Sequence, residues 1–149
     1  MARIFVDSNI FGEQWFQDNI SRLMASGKVR FAYTDHEKLT GEGERCRKLM
    51  VFYKIARDRG LRDDISIADC EKHINFLTNK EEWQNEKACD DEHVFAKNYI
   101  KPIAYVITAD RRMAKCRDCL NLTLDKNYCG FRVIGDQAKF EEHWHRISA

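Results

Sequence analysis

Short apolar runs that end in a polar or acidic residue alternate along the 149-residue chain with longer stretches in which apolar side chains recur every three or four positions. The first run, Arg3 to Val6, breaks at Asp7-Ser8-Asn9 and reads as a buried strand entering a turn. Residues 10–25 then place Phe11, Trp15, Ile20, Leu23 and Met24 at helical spacing, and Gly27 stops them. Val29 to Tyr33 reads as a second strand. Thr34-Asp35-His36-Glu37 has capping-box spacing, with Thr34 as N-cap, before Gly41 and Gly43 interrupt. A helix is predicted over Glu44–Arg59, with Cys46, Leu49, Met50 and Tyr53 on one face and Gly60 as the residue that ends it. Another begins at Ser66 and turns Ile67, Cys70, Ile74 and Leu77 inward. Residues 79–89 are strongly charged and read as an exposed helix or loop. Asp91 to Ile100 is helical, with Val94, Phe95 and Tyr99 inward, and Lys101-Pro102 closes it. Ile103 to Thr108 is the most strand-like run. A short helix over 111–120, a last strand Phe131–Ile134 and a C-terminal helix carrying Phe140, Trp144 and Ile147 complete the pattern.

Strands separated by helices imply an α/β fold, a single three-layer domain over residues 1–149 with a mostly parallel central sheet flanked by helices. A chain of this length buries roughly 68–70% of its unfolded surface, enough for one core without staples. No apolar run approaches the ~20 residues of a membrane span, and Met1 to Asp7 reaches an acid too soon for a secretory signal. A cytoplasmic protein with reduced thiols is expected. Of six cysteines, Cys116 and Cys119 form a lone CxxC; with Cys89 and Cys129 they match no common zinc-finger spacing, so small buried hydrophobes are the simpler reading. The 25 Lys and Arg nearly balance the 24 Asp and Glu, so any attraction for a polyanion must lie in the distribution of charge rather than its total.

The acids at the ends of the strands suggest the chemistry. In open parallel sheets ligands bind beyond the carboxyl ends of strands. Asp7 stands past the first strand, Thr34 and Glu37 past the second, Thr108 and Asp110 past the run at 103–108. Two carboxylates ~4 Å apart at an effective dielectric near 20 repel by about 4 kcal/mol. A fold that gathers them therefore raises their pKa or binds a cation. Oxygen donors without His or Cys suit magnesium, manganese or calcium.

Three segments carry a family likeness. Ile4-Phe5-Val6-Asp7-Ser8-Asn9-Ile10-Phe11 resembles the opening of PIN-domain nucleases, Asp90-Asp91-Glu92-His93-Val94-Phe95-Ala96 their central motif, and Val106-Ile107-Thr108-Ala109-Asp110 their strand ending in Thr-x-Asp. Thr34-x-x-Glu37 resembles the position of the family's second acid. The likeness runs from residue 4 to about 134. It implies a divalent-metal-dependent endoribonuclease that hydrolyses RNA phosphodiester bonds with Mg²⁺ or Mn²⁺. The catalytic acids would be Asp7, Glu37, Asp91 and Asp110; of these Asp7, Asp91 and Asp110 would be metal ligands, with Asn9 and Thr108 as hydrogen-bonding neighbours. Glu42 and Glu44 are alternatives to Glu37, and Asp90 to Asp91. Where many relatives carry a further acid, this chain has Arg112. Many proteins of this kind are toxins of toxin–antitoxin pairs, which implies an antitoxin partner and a homodimer.

Basic residues crowd two places. Arg45, Arg47, Lys48, Lys54, Arg57, Arg59 and Arg62 lie on one helix and its exit, and Arg111, Arg112, Lys115 and Arg117 come after Asp110. Arg111 and Arg112 adjoin the acids and are the expected nucleic-acid contacts. Trp15, Phe16 and His93 are expected to pack rather than to stack on bases or transfer protons. Two other readings remain. One is a catalytically silent PIN-like module that binds RNA or protein. The other is a phosphohydrolase of haloacid-dehalogenase type with Asp7 as nucleophile, which would want a second Asp where Asn9 stands.

Overall fold

The computed structural model describes residues 1–35, 43–80, 92–121 and 126–149, the side chains of 119–121 and 126 excepted. Its centre is β1 (Ala2–Val6), which pairs in parallel with β2 (Val29–Tyr33) on one side and with β4 (Tyr105–Ile107) on the other. β3 (Arg62–Asp64) adds to β2, and β5 (Arg132–Ile134) to β4, giving an all-parallel sheet of order β3-β2-β1-β4-β5.

Alternation along the strands sorts the helices into two layers. Ile4 registers with Phe31 and Tyr105, and this set faces α1 (Gln14–Ala25), α2 (Glu44–Asp58) and α7 (Gln137–Ile147). The Phe31 ring lies 4.9 Å from Phe52 of α2, and Tyr105 lies 5.3 Å from His143 of α7. Phe5 points to the opposite face, where it meets His93 of α4 (Glu92–Ile100) edge-on at 6.0 Å. That second layer also holds α3 (Ile67–Thr78), α5 (Arg112–Asn121) and α6 (Lys126–Cys129). His73 of α3, Tyr99 of α4 and Tyr128 of α6 stack within it. One contiguous apolar core spans both layers, and among the described residues no helix is long and apolar enough to cross a membrane.

The fold keeps the expected alternation, with instructive departures. β3 lies outside the expected strands, because Arg-Asp-Asp has no apolar signature. It is an edge strand held by charge: Asp63 accepts from Arg3 Nε at 2.8 Å and Arg30 Nε at 2.5 Å. Burial pushes the Asp63 pKa up, but these two hydrogen bonds outweigh it and hold the carboxyl below its usual range. On α2 the buried stripe is Cys46, Leu49, Phe52, Tyr53 and Ala56. Met50 is 37% exposed, because 100° per residue carries it off the edge of that stripe while Phe52 swings onto it. The helix ends as expected at Gly60, whose φ of 70° needs a residue without Cβ. Cys116 is disulfide-bonded to a cysteine whose side chain lies outside those described, against the expectation of reduced thiols. Cys46, Cys70 and Cys129 are buried thiols outside any disulfide.

Phe31 is fully buried where β2 meets α2. Phe31→Ala should lower the unfolding free energy by about 3–5 kcal/mol, read from urea denaturation. A loss below ~1 kcal/mol would mean that this layer contact does not hold the sheet to α2.

Candidate active site

β1 and β4 are neighbours, so the residues just beyond them meet. Asp7 N–H donates to the Ile107 carbonyl at 2.9 Å, carrying the ladder one residue past β1. The Asn9 side chain then bridges the two strand ends. Its Oδ1 accepts the Ala109 N–H at 2.9 Å, and its Nδ2 lies 3.4 Å from Asp7 Oδ2. The buried Thr108 hydroxyl accepts the Asp110 N–H at 3.0 Å. It lies within donating distance of both Asp7 Oδ2 (3.0 Å) and Asn9 Oδ1 (3.2 Å). One hydroxyl thus links the two acids, touching the carboxylate of one and the backbone of the other.

The acids have opposite environments. Burial pushes the Asp7 pKa up, opposed by hydrogen bonds from Thr108 and the Ser8 backbone and by the charge of Lys97; the charge of Asp110 adds to the rise. Asp110 is held below its usual range, chiefly by the Arg112 side chain and against the effect of burial. Arg112 Nε and Nη2 each lie 3.0 Å from an Asp110 carboxylate oxygen, and the Arg112 N–H adds a bond at 2.9 Å. Arg112 is therefore engaged with the acid itself rather than held open for a phosphate. Arg111 is exposed, and lines a cavity of about 450 Å³ with Glu13, Trp15, Asp110, Gly135 and Asp136. The wall is tight at Gly135, where an added Cβ would stand 3.3 Å from the Thr108 carbonyl.

Of the expected acids, the structure brings together Asp7 and Asp110; Glu37 and Asp91, with the alternatives Glu42 and Asp90, lie outside the described residues. Glu44 opens α2 and is exposed, lying 3.9 Å from Arg47. Phe16 and His93 are buried as expected, and Trp15 is half-buried against Phe140. Among the described residues no group of three or more His, Cys, Asp or Glu side chains could hold a metal ion. The oxygen donors that are present, a half-buried Asp7 and a charged Asp110, fit a hard divalent cation in kind though not in number.

Two participants do not show themselves in the sequence pattern. Lys97 is fully buried, with Nζ 4.1 Å from the Phe5 ring centroid, and its charge acts on Asp7. Its one signal is a cation directly after the apolar run Val94-Phe95-Ala96. Tyr53 is also fully buried, and its hydroxyl lies 3.3 Å from the Val6 nitrogen and 3.4 Å from the Val6 oxygen, one residue before Asp7.

Comparison of the chain with protein-family models, with curated proteins and with solved structures finds no match.

Because the native pKa of Asp7 is raised, deprotonating it costs stability as pH climbs past the ordinary carboxylate range. That cost is fully present at neutral pH and disappears where native and unfolded chains are both protonated. Asp7→Asn should therefore melt above the parent protein at pH 7 in EDTA, with the gain shrinking as pH falls toward 4. Melting curves across that range check the sign, and a neutral-pH melting point below the parent's would contradict it.

Proposed function

We propose that the protein is a divalent-metal-dependent endoribonuclease of PIN-like type, with Asp7 and Asp110 at the reacting phosphate. The observation that carries this reading is the clip of Asn9 and Thr108, which ties two acids to the ends of adjacent parallel strands while one of them is partly desolvated against its own charge. A fold with no use for two converging carboxylates gains nothing by this arrangement, whereas a cation between them relieves both burial and repulsion. The resemblance at residues 4–11, 90–96 and 106–110 points the same way and supplies Glu37 and Asp91 as the remaining acids.

Asp7 and Asp110 would hold Mg²⁺ or Mn²⁺, which when bound lowers the pKa of water and neutralises charge on a phosphate. Thr108 fixes the Asp7 carboxylate, and Asn9 fixes the loop that carries Asp110. Arg112 keeps Asp110 charged before a cation arrives, and on exchange its guanidinium becomes available to a phosphate oxygen. Arg111 faces the open cavity, where it can meet the RNA backbone. An antitoxin partner and a second copy of the chain belong to this proposal through the resemblance alone, and a cytoplasmic location through the opening residues Met1 to Asp7.

One observation favours a second reading, a silent RNA- or protein-binding module. The Arg112 fork already satisfies Asp110, so a fixed internal cation stands where a metal would compete.

Metal-dependent cleavage separates the two. Asp7→Asn should reduce RNA cleavage at least ~10²-fold, since disturbing metal support alone typically costs 10–100-fold. In the same preparations millimolar Mn²⁺ should raise the melting temperature of the parent protein and leave Asp7→Asn/Asp110→Asn unmoved. Equal metal stabilisation of both proteins would remove Asp7 and Asp110 from the binding site, and cleavage at parental rate by Asp7→Asn would remove the catalytic assignment.

A further inference from the structure

On the other flank of β1, a cavity of about 570 Å³ opens between α2 and the ends of β2 and β3, lined among others by Tyr33, Met50, Val51, Lys54, Arg57 and Arg62. We propose that it is a subsite for a single-stranded RNA segment flanking the reacting phosphate, with Lys54 and Arg57 as its phosphate contacts. The inference rests on the ribonuclease reading and adds to it a path for the strand.

Three observations carry it. First, the charge in the cavity is divided into a fixed and an available part. The Arg62 guanidinium stacks over the Tyr33 ring at 4.2 Å and is bonded to Asp64 at 2.7 and 3.2 Å, while Tyr33 donates its hydroxyl to Asp35. Those groups form a floor. Lys54 and Arg57 stand one turn apart on α2, both exposed. Lys54 has no ion pair among the described residues. The one ion-pair partner of Arg57 there is its neighbour Asp58 at 3.4 Å, with both side chains more than half exposed, a contact worth little in water. Two exposed cations at i and i+3, about 5–6 Å apart at Cβ, are thus open to a polyanion.

Second, the rim is apolar where a nucleotide needs it to be. Met50 is 37% and Val51 58% exposed, beside the two cations. An apolar wall next to paired positive charge suits a base or ribose attached to a phosphate better than it suits a carboxylate surface alone. The volume lies within the range that receives small ligands.

Third, the cavity is physically joined to the site. Tyr53 lines it, and the same hydroxyl that touches the Val6 backbone feels the charge of Asp7. A strand whose reacting phosphate sits at Asp7 and Asp110 would have this cavity on its β2 side, one strand away from β1.

The test is anisotropy of a fluorescein-labelled 12-nucleotide single-stranded RNA in EDTA, at several salt concentrations. In EDTA binding is read without cleavage. Lys54→Ala/Arg57→Ala should bind at least ~10-fold more weakly, and the slope of log affinity against log salt should fall by about 1.4, near 0.7 for each lost single-strand contact. Lys54→Arg/Arg57→Lys should restore both quantities. Lys139→Ala/Arg146→Ala, which removes two exposed charges from α7, should change neither by more than about twofold. An unchanged affinity and slope in Lys54→Ala/Arg57→Ala would overturn the subsite, and would make an acidic protein surface the better partner for this patch. So would failure of the parent protein to bind RNA. If the alanine pair weakens binding while no metal supports cleavage, the subsite stands and the nuclease reading falls. If Asp7→Asn abolishes cleavage while the alanine pair binds like the parent, the reverse holds.

Discussion

The contact between Asn9 and the Ala109 backbone, seated on the β1–β4 pairing, is what the rest of the site depends on. Parallel strands deliver their ends to one edge of the sheet but leave the adjoining loops free to diverge. One amide side chain closes that gap by occupying a backbone donor of the opposite loop, and the Thr108 hydroxyl completes the closure from the other side. Once both are made, the positions of Asp7 and Asp110 are no longer independent. Losing a polar side chain elsewhere in this edge would cost a hydrogen bond or two; losing Asn9 would loosen both acids at once.

Charge management around that clip is asymmetric. Asp7 has a cation behind it, Lys97, set in the apolar layer beneath the sheet and seated against Phe5. Asp110 has a cation in front of it, Arg112, on the solvent side. The first is fixed by burial and acts at a distance. The second is a surface fork that can let go. An internal lysine and a detachable arginine therefore define an inner and an outer acid, and ligands that enter from solvent meet the outer one first.

How much of this can be read from the chain depends on the range of each interaction. Strand ends are local: an apolar run closed by an acid locates Asp7 and Asp110, and the same logic yields the parallel sheet. The amide of Asn9 is legible only as a neighbour of Asp7, because its partner at Ala109 is 100 residues away and leaves no spacing to detect. β3 is illegible for a different reason. An edge strand of Arg-Asp-Asp earns its place through Arg3 and Arg30, which sit on two other strands. Met50 reads as core because i+4 passes for the equivalent of i+3, and the roughly 100° step between neighbouring residues is enough to bring it to the rim of a cavity. Arg112 looks like a surface cation from its neighbours in sequence, and only the bend after Asp110 turns it back on the acid.

The strand order has a further consequence in time. The central strand is made long before its partner β4 at residue 105, so the hydroxyl bond from Thr108 to Asp7 joins groups 101 residues apart. Contacts of such long sequence separation form late and slowly. A chain still attached to the ribosome, or one cut between β2 and β4, has both partners of the β1–β2 pairing and still presents a solitary aspartate. The arrangement makes synthesis through β4 and Asp110 a condition for bringing these acids together, so that shorter copies carry the sheet's early strands without the chemistry of its edge.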